Sequence, residues 1–260
     1  MSFPTETGRV EPNMFRSASE ANGLMRGRTS SLRAPVTILW TGVKEESMNQ
    51  PFPGTCVSCN KEFARNAITK HIAACEQRKP GDETRFHIVV QGSYLSQYWL
   101  HVAAHPKARL SDLDVFLRNI WLECCGHLSS FDIGGREYLS AGFEDSDADS
   151  MAVALGRVLT PGLKFRHTYD FGTSTELSLR VVGEIRIAPG KGKIRLLARN
   201  IAPVFECGEC EKPATQVCSQ CSWDGDAWLC DPCALEHECG EEMLLPAVNS
   251  PRVGQCGYTG

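Results

Sequence analysis

Four C-x-x-C pairs constrain this chain more than any other feature: Cys56–Cys59, Cys207–Cys210, Cys218–Cys221 and Cys230–Cys233. They account for eight of the 13 cysteines in 260 residues. Scattered core cysteines seldom give four pairs at one spacing, whereas knuckles that hold a metal require it. The alternative, disulfides, depends on the compartment. No apolar run approaches the roughly 18 residues that cross a bilayer. Residues 1–50 lack the ordered basic, apolar and small-residue regions of a secretory signal. The expectation is a soluble, cytoplasmic chain with no membrane segment, in which closely spaced thiols are metal ligands. The adjacent pair Cys124 and Cys125 is read differently, as buried and inert thiols.

The first cluster is Cys56, Cys59, His71 and Cys75, spaced C-x2-C-x11-H-x3-C. Ala64 to Ala74 reads as a helix, with Ala67, Ile68, Ile72 and Cys75 near one face. Residues four apart on a helix lie one above the other, so His71 and Cys75 can face the knuckle together. Two thiolates from a knuckle and two ligands from a helix make a closed tetrahedral zinc site. Phe63 is the expected aromatic plug of this small unit.

The second cluster is Cys207, Cys210, Cys218, Cys221, Cys230, Cys233, His237 and Cys239, eight ligands in 33 residues, enough for two zinc ions. Pairing neighbouring knuckles would leave seven residues between the first two. Pairing alternate knuckles leaves 19 residues between Cys210 and Cys230 and 15 between Cys221 and His237. Four-ligand sites usually separate their pairs by about 15–20 residues, which favours the interleaved cross-brace over the neighbour pairing. Cys256 stands as a free thiol, or as a replacement ligand for Cys239 or Cys210. About three zinc ions per chain are expected. Val217, Trp223, Trp228, Leu229 and Leu235 supply most of the module's apolar content, too little to fold alone. Structural zinc contributes about 10–16 kcal/mol of apparent binding energy in peptide models, so the metal's task here is folding.

The remaining chain divides around these clusters. Residues 1–50, rich in Ser, Thr, Gly, Arg and Pro without sustained periodicity, read as disordered. Residues 51–80 are the first finger, 84–200 the main domain, 205–245 the two-zinc module and 246–260 a tail. In the main domain, Phe86–Val90 and Tyr98–Val102 read as strands. A helix follows, capped by Ser111, with the apolar stripe Leu110, Leu113, Leu117, Ile120, Trp121 and Cys124. Gly134-Gly135 turns a hairpin. Asp149 to Leu159 reads as a second helix, ended by Pro161-Gly162. Strands 164–171, 177–187 and 193–198 close the domain. The fold class is therefore α+β, a largely antiparallel sheet with two main helices, plus two small zinc-stabilised modules.

Several segments of the main domain carry a resemblance. They are Leu110 to Cys124, then Gly126-His127-Leu128-Ser129-Ser130-Phe131, and above all His167-Thr168-Tyr169-Asp170-Phe171-Gly172. Over about residues 84–187 the chain resembles the Ri-plasmid ORF-3-like family, also described as transposable-element passengers. The resemblance implies a compact α+β domain. Family members follow Tyr-Asp-Phe-Gly with aspartate, tryptophan and histidine at alternate positions, where this chain has Thr173, Thr175 and Leu177. Cys56 to Cys75 is similar to C2HC fingers. Cys207 to Cys239 resembles the B-box and related cross-brace fingers, which implies protein binding.

Charge separates the functional readings. Residues 206–245 carry ten acids against Lys212 alone, which repels phosphate and suits an adaptor that engages a protein partner through the C-terminal module. Trp223 or Trp228 would anchor such a partner if exposed, and is equally expected to be buried in the small core. Residues 56–79 carry a net +3, with Arg65 and Lys70 flanking the finger helix, which suits nucleic acid through the N-terminal finger. A third reading, an enzyme using Asp170 with His127 or His167, has no supporting motif: P-loop, dinucleotide fingerprint, G-x-S-x-G and H-E-x-x-H are all missing. His101 and His105 are four apart, but the strand pattern and Pro106 argue against one helix face. The acidic run from Glu144 to Asp149 lacks the glycine and distal glutamate of an EF-hand and reads as a solvated loop.

Overall fold

The computed structural model describes residues 52–76, 81–141, 148–223 and 227–260. The expected disordered segment and most of the acidic run lie outside these residues, as does the Trp223 side chain. The first finger consists of β1 (Gly54–Cys56), β2 (Glu62–Phe63) and helix α1 (Arg65–Glu76). The main sheet continues with β3 (Glu83–Gly92) and β4 (Trp99–Ala104). Helix α2 (Leu110–Leu117) then runs into a π turn at Arg118–Leu122. After it come β5 (Ser129–Ile133), β6 (Arg136–Leu139), β7 (Asp149–Ser150) and the single helical turn α3 (Leu155–Val158). Strands β8 (Lys164–Tyr169), β9 (Thr175–Ile187) and β10 (Ile194–Asn200) complete the sheet. The C-terminal module holds β11 (Gln216–Cys218), β12 (Trp228–Leu229), α4 (Asp231–Leu235) and β13 (Leu244–Pro246).

Ten strands form one sheet in the order β2-β1-β10-β4-β3-β9-β8-β5-β6-β7, antiparallel except for the β6–β7 pair. The fold is α+β, as the mixture of hairpins and amphipathic segments predicts. The Gly134-Gly135 hairpin forms as expected, with φ of 64° and 82°, the left-handed pair a two-residue turn needs.

Both faces of the sheet are covered. On one face, Leu100, Val102 and Ala104 of β4 pack with Leu110, Leu113, Leu117 and Trp121 of α2 and its π turn. On the other, Trp99 and Ala103 pack with Ile68 and Ile72 of α1. That is why every residue of β4 is buried. Ala67, expected on the buried face of α1, is exposed.

Strand β9 serves both layers through a bulge. Its odd-numbered residues 175–181, 185 and 187 are buried, as alternation requires. Pairing with β3 shifts between His87 and Ile88, which oppose Gly183 and Val181, so one extra residue sits on β9. Leu177, Leu179 and Val181 accordingly face α2, while Ile185 and Ile187 face the finger.

Two local expectations differ. The residue before α2 is Arg109, whose N–H donates to Asp112 Oδ2 at 2.7 Å, and Ser111 lies inside the first turn. Residues 149–159 form β7 and only one helical turn. The cause is α2 itself: its N–H groups at Leu110 and Ser111 donate to the carbonyls of Val153 and Met151. A helix start leaves such donors unpaired, and an extended neighbouring segment satisfies them here.

The C-terminal module keeps a small cluster of its own around Cys207, Cys218, Leu229 and Ala234, and it is also joined to the main core. Val217, Ala227, Trp228 and Val253 belong to the same buried cluster as α2 and the sheet. Trp228 lies flat on Phe205, ring centres 3.7 Å apart and 8° from parallel. It is a core residue and not the exposed anchor considered from sequence. Leu235, expected in the module's core, is instead 89% exposed. No helix among the described residues is long and apolar enough to cross a membrane.

Candidate metal centres

Each centre begins with how the chain turns. At Cys56, the N–H of Asn60 donates to the Cys56 carbonyl at 2.8 Å and the Cys56 N–H donates to Lys61 at 3.0 Å. At Cys207 the same pattern recurs, with Glu211 to Cys207 at 3.0 Å and Cys207 to Lys212 at 2.7 Å. Asn60 and Glu211 sit at φ of 55° and 61°, left-handed positions that bend the chain back beneath its two thiols. The two C-x-x-C-x-Lys segments thus fold alike at opposite ends of the chain.

Around the first knuckle the structure gathers Cys56, Cys59, His71 and Cys75. Cys59 Sγ lies 3.3 Å from His71 Nε2, and Phe63 stacks on the His71 ring at 3.7 Å. The backbone N–H of Lys61 lowers the Cys59 thiol pKa, whereas burial and the charge of Cys56 push Cys75 up to about 11.

The C-terminal ligands gather in the alternate arrangement. One group is Cys207, Cys210, Cys230 and Cys233, with Cys210 Sγ 3.4 Å from Cys230 and 3.6 Å from Cys233. The other is Cys218, Cys221, His237 and Cys239, with Cys221 Sγ 3.4 Å from His237 Nε2 and 3.5 Å from Cys239. Helix α4, with Pro232 in its first turn, carries Cys230 at its start and Cys233 inside, and delivers His237 to the neighbouring group.

Thiols packed this closely cannot all ionise together without a cation. Burial raises Cys207, but N–H groups of Cys230, Glu209 and Cys210 outweigh it and bring that thiol down to about 6. Burial and the neighbouring Cys239 and Cys218 push Cys221 up to about 12. One thiolate therefore opposes the next, and a divalent cation relieves the conflict because coordination deprotonates thiols outright. Zinc binds thiolates at about 2.3 Å in a tetrahedron, whose edges are then about 3.8 Å. The observed separations of 3.3–3.6 Å suit that shell.

A fourth group joins Cys124, Cys125, His127 and Cys256, where three had been expected. Cys125 is exposed and Cys124 half-buried, so the reading of this pair as buried thiols does not hold. Cys256 lies at neither C-terminal group. The adjacent cysteines were the available signal, but their partners arrive from a turn and from a tail 131 residues away. Four Cys/His groups, each with donors that suit zinc, are therefore present.

The remaining candidates sit in polar networks, and two of them meet: His127 Nε2 lies 3.5 Å from Asp170 Oδ2. Asp114 accepts hydrogen bonds from Ser129 Oγ and Arg118 Nε, each at 2.7 Å, and lies 2.7 Å from His167 Nε2. Burial raises its pKa, but His167, Ser129 and Arg118 together bring it below the ordinary carboxylate value. Asp170, at φ of 65°, accepts N–H bonds from Gly172 and Thr173 and forms a 2.8 Å ion pair with buried Arg252. His101 is bonded to His87 at 2.8 Å, whereas His105 lies by Glu83, so the two do not share a site.

No protein-family profile matches this chain, and no curated protein matches it. Among solved structures it is similar to a protein of unknown function, MM3350, from Methanosarcina mazei Go1. The TM-score is 0.40 at 17% identity, covering 45% of this chain and 70% of that one.

Proposed function

We propose that this chain is a cytoplasmic zinc-binding adaptor whose acidic C-terminal module engages a protein partner. The observation that carries the reading is Leu235, a large apolar side chain 89% exposed on α4. It stands beside Asp231, Glu236 and Glu238, in a stretch with ten acids and one lysine. An apolar anchor with a charged rim is the anatomy of an interface hot spot, and the complementary partner presents an apolar pocket rimmed by Lys or Arg. The B-box-like spacing agrees with protein binding. In this reading the main domain is the scaffold. Its likeness to the Ri-plasmid ORF-3-like family rests on Tyr169-Asp170-Phe171-Gly172, and the α+β fold class agrees with it.

A second reading, nucleic-acid binding through the basic finger, is favoured by one observation. A cavity of about 1110 Å³ lies between α1 and the sheet, lined by Arg65, Lys164, Arg166 and Arg180 with Asp132 among them. Two of these cations are already engaged: Arg166 with Asp132, and Arg65 with Ser96 and Gln91. That leaves a modest footprint for phosphate.

One experiment separates the two: affinity capture by the zinc-loaded full chain in parallel with L235D and K164E/R180E variants. The adaptor reading predicts a defined set of proteins lost with L235D and unaffected by nuclease or by K164E/R180E. Capture that survives L235D and disappears with nuclease treatment and with K164E/R180E would replace it with the second reading.

A further inference from the structure

We propose that Cys124, Cys125, His127 and Cys256 hold a zinc ion of their own, and that this ion clasps the C-terminal tail onto the main domain. The site is independent of the adaptor reading and stands whether or not α4 meets a partner.

The geometry is that of an assembled ligand set. Cys125 Sγ lies 2.9 Å from His127 Nε2, 3.6 Å from Cys124 Sγ and 3.8 Å from Cys256 Sγ, and His127 Nε2 lies 3.2 Å from Cys256 Sγ. All four donor atoms fall within 4.8 Å of one another. The two sulfur–sulfur distances are close to the tetrahedral edge of about 3.8 Å that zinc–thiolate bonds impose. Three thiolates and one imidazole are also the donor set of two of the other groups.

The backbone is bent to make this possible. Consecutive residues in extended chain point to opposite sides, yet both Cys124 and Cys125 reach the same point. Gly126, at φ of 79°, turns the chain so that His127 returns to Cys125. Cys256 itself is left-handed at φ of 48°, a conformation that comes at a cost to a non-glycine residue. A metal bond to its sulfur offsets that cost.

Cysteine usage supports the same conclusion. The other three groups use ten of the 13 cysteines, and the three that remain all meet here. No cysteine of the chain lies outside a four-donor group.

The surroundings complete the charge balance. Three thiolates around a divalent ion leave about −1. Arg252, fully buried, places its guanidinium 3.4 Å from Cys124 Sγ and pairs with Asp170. It also donates to the Thr175 hydroxyl at 3.0 Å and to the Thr173 carbonyl at 3.1 Å. The tail is therefore seated by Arg252, and the ion would fasten its end four residues later. Tyr169 Oη, 3.8 Å from Cys124 Sγ, donates to Glu123 and walls one side.

The alternative chemistry is oxidative: Cys125 and Cys256 are close enough for a disulfide after small movement. Native mass spectrometry of the full chain, with a count of thiols reactive without denaturation, distinguishes the two. The proposal predicts four zinc ions per chain and no rapidly reacting thiol. A C125S/C256S double variant, altered only at exposed positions, should retain three ions and be cut by trypsin after Arg252 several-fold faster. Three ions with three fast thiols in the unaltered chain would overturn the proposal. So would three ions with a mass two daltons short, the signature of the disulfide, or a double variant that still holds four.

Discussion

His87 and His101 face each other inside the sheet, 2.8 Å apart, where neither can take up a proton cheaply. Burial, and after it the charge of Arg180, lowers His87 to about 4; burial and His87 itself lower His101 to about 3. In the unfolded chain both would titrate near 6.5. Between those values the unfolded chain binds protons that the folded chain refuses, so stability falls as pH drops from about 6.5 towards 4. A shift of this size is worth about 3 kcal/mol for His87. Urea unfolding at pH 7.5 and pH 5 should show an H87Q variant losing less stability than the unaltered chain. Metal loss in acid affects both proteins, so their difference isolates the histidine. An equal loss would show that this pair does not govern the acid response.

At the scale of elements, the bulge on β9 decides which layer each isoleucine serves. Beyond the bulge Ile185 and Ile187 serve the finger layer alone, so an I185A/I187A variant should loosen that layer first. Each buried isoleucine is worth about 1.5–3 kcal/mol, so the double substitution should cost several kcal/mol. Proteolysis should then release the finger before the α2 face of the sheet. Simultaneous loss of both faces would contradict the layered account. This bulge also marks where sequence reading stopped. Apolar periodicity locates β3, β4, α2 and the Gly134-Gly135 hairpin because their partners are close in sequence. It places Ile185 and Leu179 on one face, since alternation alone cannot register a bulge set by a partner about 100 residues away. The segment 149–159 fails for a related reason: its helical pattern is overruled by the unpaired N–H groups of α2. Knuckle spacing made twelve of the sixteen grouped donors visible, because those ligands come in short local pairs. The group around Cys256 is built from a turn and a distant tail, a contact with no local signature.

At the scale of the whole molecule, the C-terminal module and the main domain share one core through Val217, Trp228 and Val253. Loosening the module's metal should therefore be felt in the sheet. A C218S/C221S variant is expected to hold one zinc ion fewer. Its main-domain transition should also shift, followed by near-ultraviolet circular dichroism of Trp121, Trp99 and Trp228. An unchanged transition would mean that the two parts fold separately. The pairing of β1 with β10, Gly54 opposite Asn200, has a consequence for the chain as it is made. The four donors of the finger emerge from the ribosome well before residues 194–200. The finger can thus capture its ion while the strand it leans on does not yet exist. A finger that held its ion at that stage would be a small bead on a thread, with its landing place arriving more than a hundred residues later.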